Sequence, residues 1–182
     1  MAISIPPWPS PESDEGAKFF ANAKAVFAAF KAKGAGNPAA LAMVAMAEAE
    51  SSLDPDALGD YVDAAGKPLR WMAQYPPGAT PTAFGLFQWH MSRLNAIRAQ
   101  TGVDIASAVL AGRGDAATQA AAAWWELTHG PGYGLKAIES ASTAYGAAMQ
   151  ATALFEKAGA LDAAERRGRM AERWAAWFQK EM

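Results

Sequence analysis

The stretch NPAALAMVAMAEAESSLDP, residues 37–55, decides how the rest of the chain is read. Asn37 is a good N-cap and Pro38 suits a first helical position. Leu41, Met43, Val44 and Met46 then fall around the whole circumference of the helix. A helix that is apolar on every side lies at the centre of a fold. This one nevertheless runs into Glu48, Glu50, two serines and Pro55. Proline pushes the residue before it out of the helical region, so it predicts the stop.

At 3.6 residues per turn, Glu48 and Glu50 stand about 200° apart and cannot share a face. The apolar row Met43, Met46, Ala47 leads to Glu50, and the row Leu41, Val44, Ala45 leads to Glu48. Periodicity alone does not choose between them. The C-terminal end of a helix carries partial negative charge, and burial beside Met and Leu also disfavours an anion. A carboxyl group in such a place is expected to hold its proton toward neutral pH, as a general acid must. Glycoside cleavage needs such an acid most directly, to protonate the leaving oxygen. The bland alternative is a pair of solvated glutamates at a helix end.

The bulk numbers agree with one globular domain. The chain has 182 residues, 52% of them hydrophobic, and a formal net charge of −2. That charge provides no broad basic surface for nucleic acid or anionic lipid. There are no cysteines, which excludes disulfides, thiolate catalysis and thiolate metal sites. The two histidines, His90 and His129, lie in different segments and do not form a metal-binding pattern. Neither a metal nor a cofactor is expected. The opening MAISIPPWPSPESDEG lacks the basic and apolar regions of a signal peptide. No window reaches the roughly 20 apolar residues of a membrane span. Synthesis in the cytoplasm is expected, with any action outside depending on another carrier or on lysis.

Residues 1–12 read as a Pro-rich arm, either a plain tail or a segment that docks Trp8 onto the domain or a partner. Residues 13–182 read as a single domain. A first helix is expected over Asp14–Lys33, with an apolar stripe from Phe19 to Phe30 and Gly34 as its stop. Residues 54–87 break the pattern with Gly and Pro throughout, and predict a long irregular loop or a small β-hairpin beside a cleft. A loop of that length in a compact domain is usually functional. Helices are expected again at 91–100, 104–111, 115–128, 135–140, 143–157 and 162–180. The expected fold class is mainly α.

A second motif follows the loop: AFGLFQWHMSRL, residues 83–94. Gly85 permits an unusual backbone, Gln88 brings both a donor and an acceptor, and Trp89 offers a flat face suited to a sugar ring. Together, AEAESSLDPDA and FGLFQW resemble the phage tail lysozyme family and, more distantly, soluble lytic transglycosylases and goose-type lysozymes. The shared pattern is Glu50, Ser51, Leu53, Pro55, Gly85, Leu86, Gln88 and Trp89. It continues in QAAAAWWELTHGPGYGLKAI and in RRGRMAERW, so that it spans roughly residues 38–178.

The resemblance implies a lysozyme-like helical domain acting on peptidoglycan glycan strands at the β-1,4 bond between N-acetylmuramic acid and N-acetylglucosamine. It implies Glu50 as the catalytic acid, with Ser51, Tyr61, Gln88, Trp89 and Tyr133 toward the substrate and Glu48 at the surface or as a helper. A hydrolase would need a second carboxylate, for which Asp60 and Asp63 on the loop edge are the candidates, whereas Asp54 and Asp56 suit turns or caps. A lytic transglycosylase needs none. A place in a phage tail, beside other tail or baseplate proteins, or release at lysis would fit the missing signal peptide. The rival reading is a non-catalytic glycan-binding or structural module of a tail, and an arginine paired with Glu50 would favour it. Trp71 and Tyr75 are further candidate sugar platforms. Glu126 is expected as a cap or pair partner. The cluster Arg166, Arg167 and Arg169 is expected on a solvated helix face.

Overall fold

The computed structural model describes residues 4–69, 74–130, 134–156 and 161–181. Eight α-helices and a three-stranded antiparallel sheet make up the described residues. The helices are α1 (Asp14–Ala32), α2 (Asn37–Ser51), α3 (Met91–Thr101), α4 (Ile105–Leu110), α5 (Ala116–His129), α6 (Leu135–Ser140), α7 (Ala144–Ala151) and α8 (Leu161–Glu181). A π-helical turn, Thr152–Glu156, continues α7.

Helix α2 is the axis. Every residue from Ala39 to Glu48 is buried, and α1, α7 and α8 pack around it. Its N-cap is Gly36 rather than Asn37: Asn37 is the first helical residue and Pro38 the second. Helix α1 begins at Ser13, whose hydroxyl accepts from the Gly16 N–H at 3.0 Å. Asp104 and Asp115 cap α4 and α5 in the same way.

The predicted proline stop of α2 is replaced by a different device. The helix ends at Ser51, and Ser52 and Leu53 both take left-handed backbone angles, φ 54° and 60°. The Leu53 N–H returns to the Ala47 carbonyl at 3.2 Å, which closes the end as a Schellman-type turn does. Asn22 of α1 fixes the turn from outside by donating to the Leu53 carbonyl at 2.8 Å.

The irregular segment folds as short strands β1 (Leu58–Gly59), β2 (Ala83–Phe84) and β3 (Trp89–His90). Leu58 pairs with Phe84, and Phe84 with Trp89. Beyond β1, Val62 bridges both Pro68 and Thr80, which makes a small hairpin outside the sheet.

The aromatic residues of α1 and α8 interleave along one side. Phe27 stacks on Phe178 at 4.4 Å, and Phe19 on Trp174 at 5.6 Å. The arm joins this cluster. Trp8 lies 4.3 Å from Trp174 and edge-on to Phe20 at 5.5 Å. Arg173 sits over the Trp8 ring at 4.3 Å and donates to the Pro6 carbonyl at 2.6 Å. The arm crosses Gly16 so closely that any side chain there would collide with the Ser10 carbonyl.

Candidate active site

The two glutamates at the end of α2 turn to opposite sides, as the helical period requires. Glu48 points to the arm and α8. It is 8% exposed and accepts from the Trp8 indole at 3.0 Å, the Trp174 indole at 2.7 Å and the Arg173 guanidinium. Burial raises its pKa above the ordinary carboxylate value, against the pull of Arg173 and the two indoles. Burial also lowers the pKa of Arg173, which Glu48 offsets in part. The expected place for Glu48, surface or helper, is therefore corrected on the first count: a buried residue with three donors is not at the surface.

Glu50 also meets α8, at Arg167 rather than Arg173. Its side chain keeps 20% of its exposure, and it forms an ion pair with Arg167. Arg167 is 7% exposed, while Arg166 and Arg169 are exposed. The expected solvated basic face is thus broken at its middle residue, because Arg167 falls on the side of α8 that packs against α2. Its neighbour Gly168 leaves room for the Tyr145 ring of α7, which a Cβ would meet at 2.6 Å.

The other predicted site residues are placed in three groups. Ser51 donates its hydroxyl to the Ala47 carbonyl at 2.9 Å. With Glu48, Ser52 and Asp54 it lines a groove of about 1000 Å³ between the arm and the loop after α2. Gln88, with φ 45°, lies on the sheet side. Its amide donates to the Gly85 carbonyl at 2.9 Å, and its side-chain oxygen rests against Gly59 where a Cβ would collide. Nearby, Asp60 faces His90 at 3.4 Å with 70% of its side chain exposed. Tyr61 stacks on Tyr75 at 3.9 Å. Asp63 accepts from the Ala65 and Lys67 N–H groups at 2.9 and 2.8 Å, which occupies one carboxylate oxygen in a turn. Among the described residues, no hydrogen bond or ion pair joins Glu50 to Asp60, Asp63 or Gln88.

Trp89 is a correction. Its ring is fully buried against Phe87 at 5.1 Å, and its indole donates to Glu126 at 2.9 Å. It has no open face to offer a sugar, since β3 turns it into the core while His90 faces out. Glu126 also takes a two-pronged bond from Arg93, at 2.7 and 2.8 Å, as its expected pairing role implies. Trp124 packs edge-on to Phe30, and Trp125 stacks on His129. Tyr133 and Trp71 lie outside the described residues.

Several supporting residues escaped the sequence reading. Gln119 of α5 accepts from the Leu86 N–H and donates to the Pro55 carbonyl, both at 2.7 Å. It thereby clamps the loop after α2 to the Gly85–Gln88 turn. Gly85 has φ 72°, and a side chain there would collide with the Gln119 amide. Asn22, Arg173 and Arg167 likewise act across long distances in sequence, while the docking of Trp8 was one of the two fates expected of the arm. A glutamine at the head of an alanine run was the available signal for Gln119.

The arrangement places one carboxylate at the edge of solvent at the end of a buried helix, with a cation beside it and the Gly-Leu-Phe-Gln turn tied to the same loop. The profile of the phage tail lysozyme family matches residues 21–178. The chain belongs to the phage tail lysozyme family. Membership brings peptidoglycan as the substrate and lysozyme-type glycosidase activity. The arm and the first turns of α1 precede the matched region of this family member. Comparison with curated proteins and with solved structures gave no match. No described helix is long and apolar enough to cross a membrane.

Proposed function

We propose that this chain cleaves the β-1,4 bond between N-acetylmuramic acid and N-acetylglucosamine, with Glu50 as acid and then base, as part of a phage tail. The position of Glu50 carries the reading: it lies in the last turn of α2 and regains solvent just past the ten-residue buried run. Glu50 gives its proton to the glycosidic oxygen as the bond from the anomeric carbon breaks. It then takes a proton from the group that attacks that carbon. Attack by water gives a reducing end and attack by the muramic acid 6-hydroxyl gives a 1,6-anhydro end, so the proton count closes either way. Ser51, Tyr61, Gln88 and Tyr133 are proposed to face the strand. Asp60 is the better-placed second carboxylate for hydrolysis, since one oxygen of Asp63 is already held in a turn.

One observation favours a second reading. Glu50 is held by Arg167, and one of its carboxylate oxygens is already taken by that pair. A glycan-binding tail module would tolerate that pair indefinitely.

Digestion of purified peptidoglycan by the wild type and by Glu50→Gln, with mass analysis of the muropeptides, separates the readings. The expected result is release by the wild type and at least about a hundredfold less by the variant, the scale of losing a general acid. Equal release by both would remove Glu50 from the chemistry. No release by either, from several wall types, would move the binding-module reading ahead.

A further inference from the structure

Arg167 is more than a counterion. Its Nη2 holds Glu50, while Nε and Nη1 are buried with no hydrogen-bond partner among the described residues. A buried guanidinium with two unmet donors has been desolvated without compensation, which proteins avoid unless another partner arrives. The pair meets solvent through Glu50, whose side chain is the more exposed of the two. The Arg167 side chain is itself buried, so a ligand oxygen would reach its unmet nitrogens by displacing Glu50.

We propose that Arg167 is a substrate-binding residue of this site, taking a carbonyl oxygen of the glycan strand and in doing so giving up Glu50. This rests on the function proposed above and removes its main difficulty. Without substrate, the guanidinium occupies Glu50. With substrate, an amide oxygen occupies the planar fork of donors, which suits Arg better than Lys. Glu50 is then released from the pair and free to face the glycosidic oxygen. The ligand chemistry is an amide carbonyl, from the 2-acetamido groups of either sugar or from the lactyl amide found on muramic acid alone.

The test is binding to an uncleaved strand. Glu50→Gln, Glu50→Gln with Arg167→Lys, and Glu50→Gln with Arg167→Met are titrated with insoluble peptidoglycan and with a chitin oligomer. In the Glu50→Gln background, Arg167→Met leaves no unpaired buried charge, so the double variant is expected to fold. Should a melting curve show otherwise, the Lys variant decides. The expected result is a loss of about tenfold or more on going to Met, the scale of a hydrogen bond to a charged group, with Lys between. Loss on both ligands assigns the acetamido oxygen, and loss on peptidoglycan alone assigns the lactyl oxygen. Equal binding by all three, while the wild type still releases muropeptides, overturns the role of Arg167 and leaves the catalytic reading intact. Arg167-dependent binding without release by the wild type keeps the receptor and overturns its link to Glu50.

Discussion

Ser52 shows how one residue can hold a strained position. Its φ of 54° is left-handed, where a side chain crowds the backbone and glycine does not. Ser52→Gly is expected to raise stability by up to about 1 kcal/mol in a urea melt, since glycine is the favoured residue after such a helix end. Leu53, also left-handed, would not profit in the same way, because its side chain is fully buried. Glu48 makes a pH prediction. Its folded-state pKa is raised by burial, so between about pH 4.5 and that raised value the folded chain binds more protons than the unfolded one. The contribution of Glu48 to stability therefore falls as pH rises through that window. Thermal melts of Glu48→Gln from about pH 4 to about pH 7 should show the variant improving relative to the wild type as pH rises. A constant difference would contradict the raised pKa. Both residues were readable as helix-end residues, but their conformations were not, because each depends on what lies across the gap.

At the scale of elements, the arm behaves as a clasp. Trp8 completes the hydrogen bonding of Glu48 and fills the slot between α1 and α8. Trp8→Ala is expected to cost about 3 kcal/mol, the lower part of the range for a large aromatic, since Trp8 is only partly buried. The loss would be seen as a lower urea midpoint. Trp8→Phe should recover the packing but not the indole bond, and fall between. A variant lacking residues 1–12 that melts like the wild type would show the arm to be ornamental. The sequence allowed docking as one of two fates for this tail. What the structure shows is docking: Trp8 donates to a buried carboxylate forty residues away and packs on Phe20 and Trp174.

At the scale of the whole molecule, Gln119 ties together parts of the chain that no local rule connects. Gln119→Leu would leave the Leu86 N–H and the Pro55 carbonyl unpaired. The expected loss is roughly 1–3 kcal/mol for each buried group left without a partner, measured by chemical denaturation. Activity on peptidoglycan should fall more than stability alone explains, because the clamp joins the turn carrying Gln88 to the loop after α2. A variant with reduced stability and unchanged turnover would confine Gln119 to a structural role.

The helices were legible because their signals are local: the all-round apolar run of α2 and the stripe of α1 each repeat within a turn or two, whereas the one cap read from the sequence, Asn37, moved to Gly36. The family pattern was legible for the same reason, since Glu50–Pro55 and Gly85–Trp89 are contiguous. Partner choice was not. Whether Trp89 met sugar or core depended on which face of β3 turned inward, and a slip of one residue reverses that. Which glutamate would be buried depended on α8 and the arm, since the helical period separates Glu48 from Glu50 without saying what stands on either side. The charge on Arg167 was written in the sequence, but its burial against Glu50 arose only when α8 packed on α2. Local hydrogen bonds and apolar spacing are encoded residue by residue. Long-range pairing of buried charges is decided by the packing that brings distant segments together.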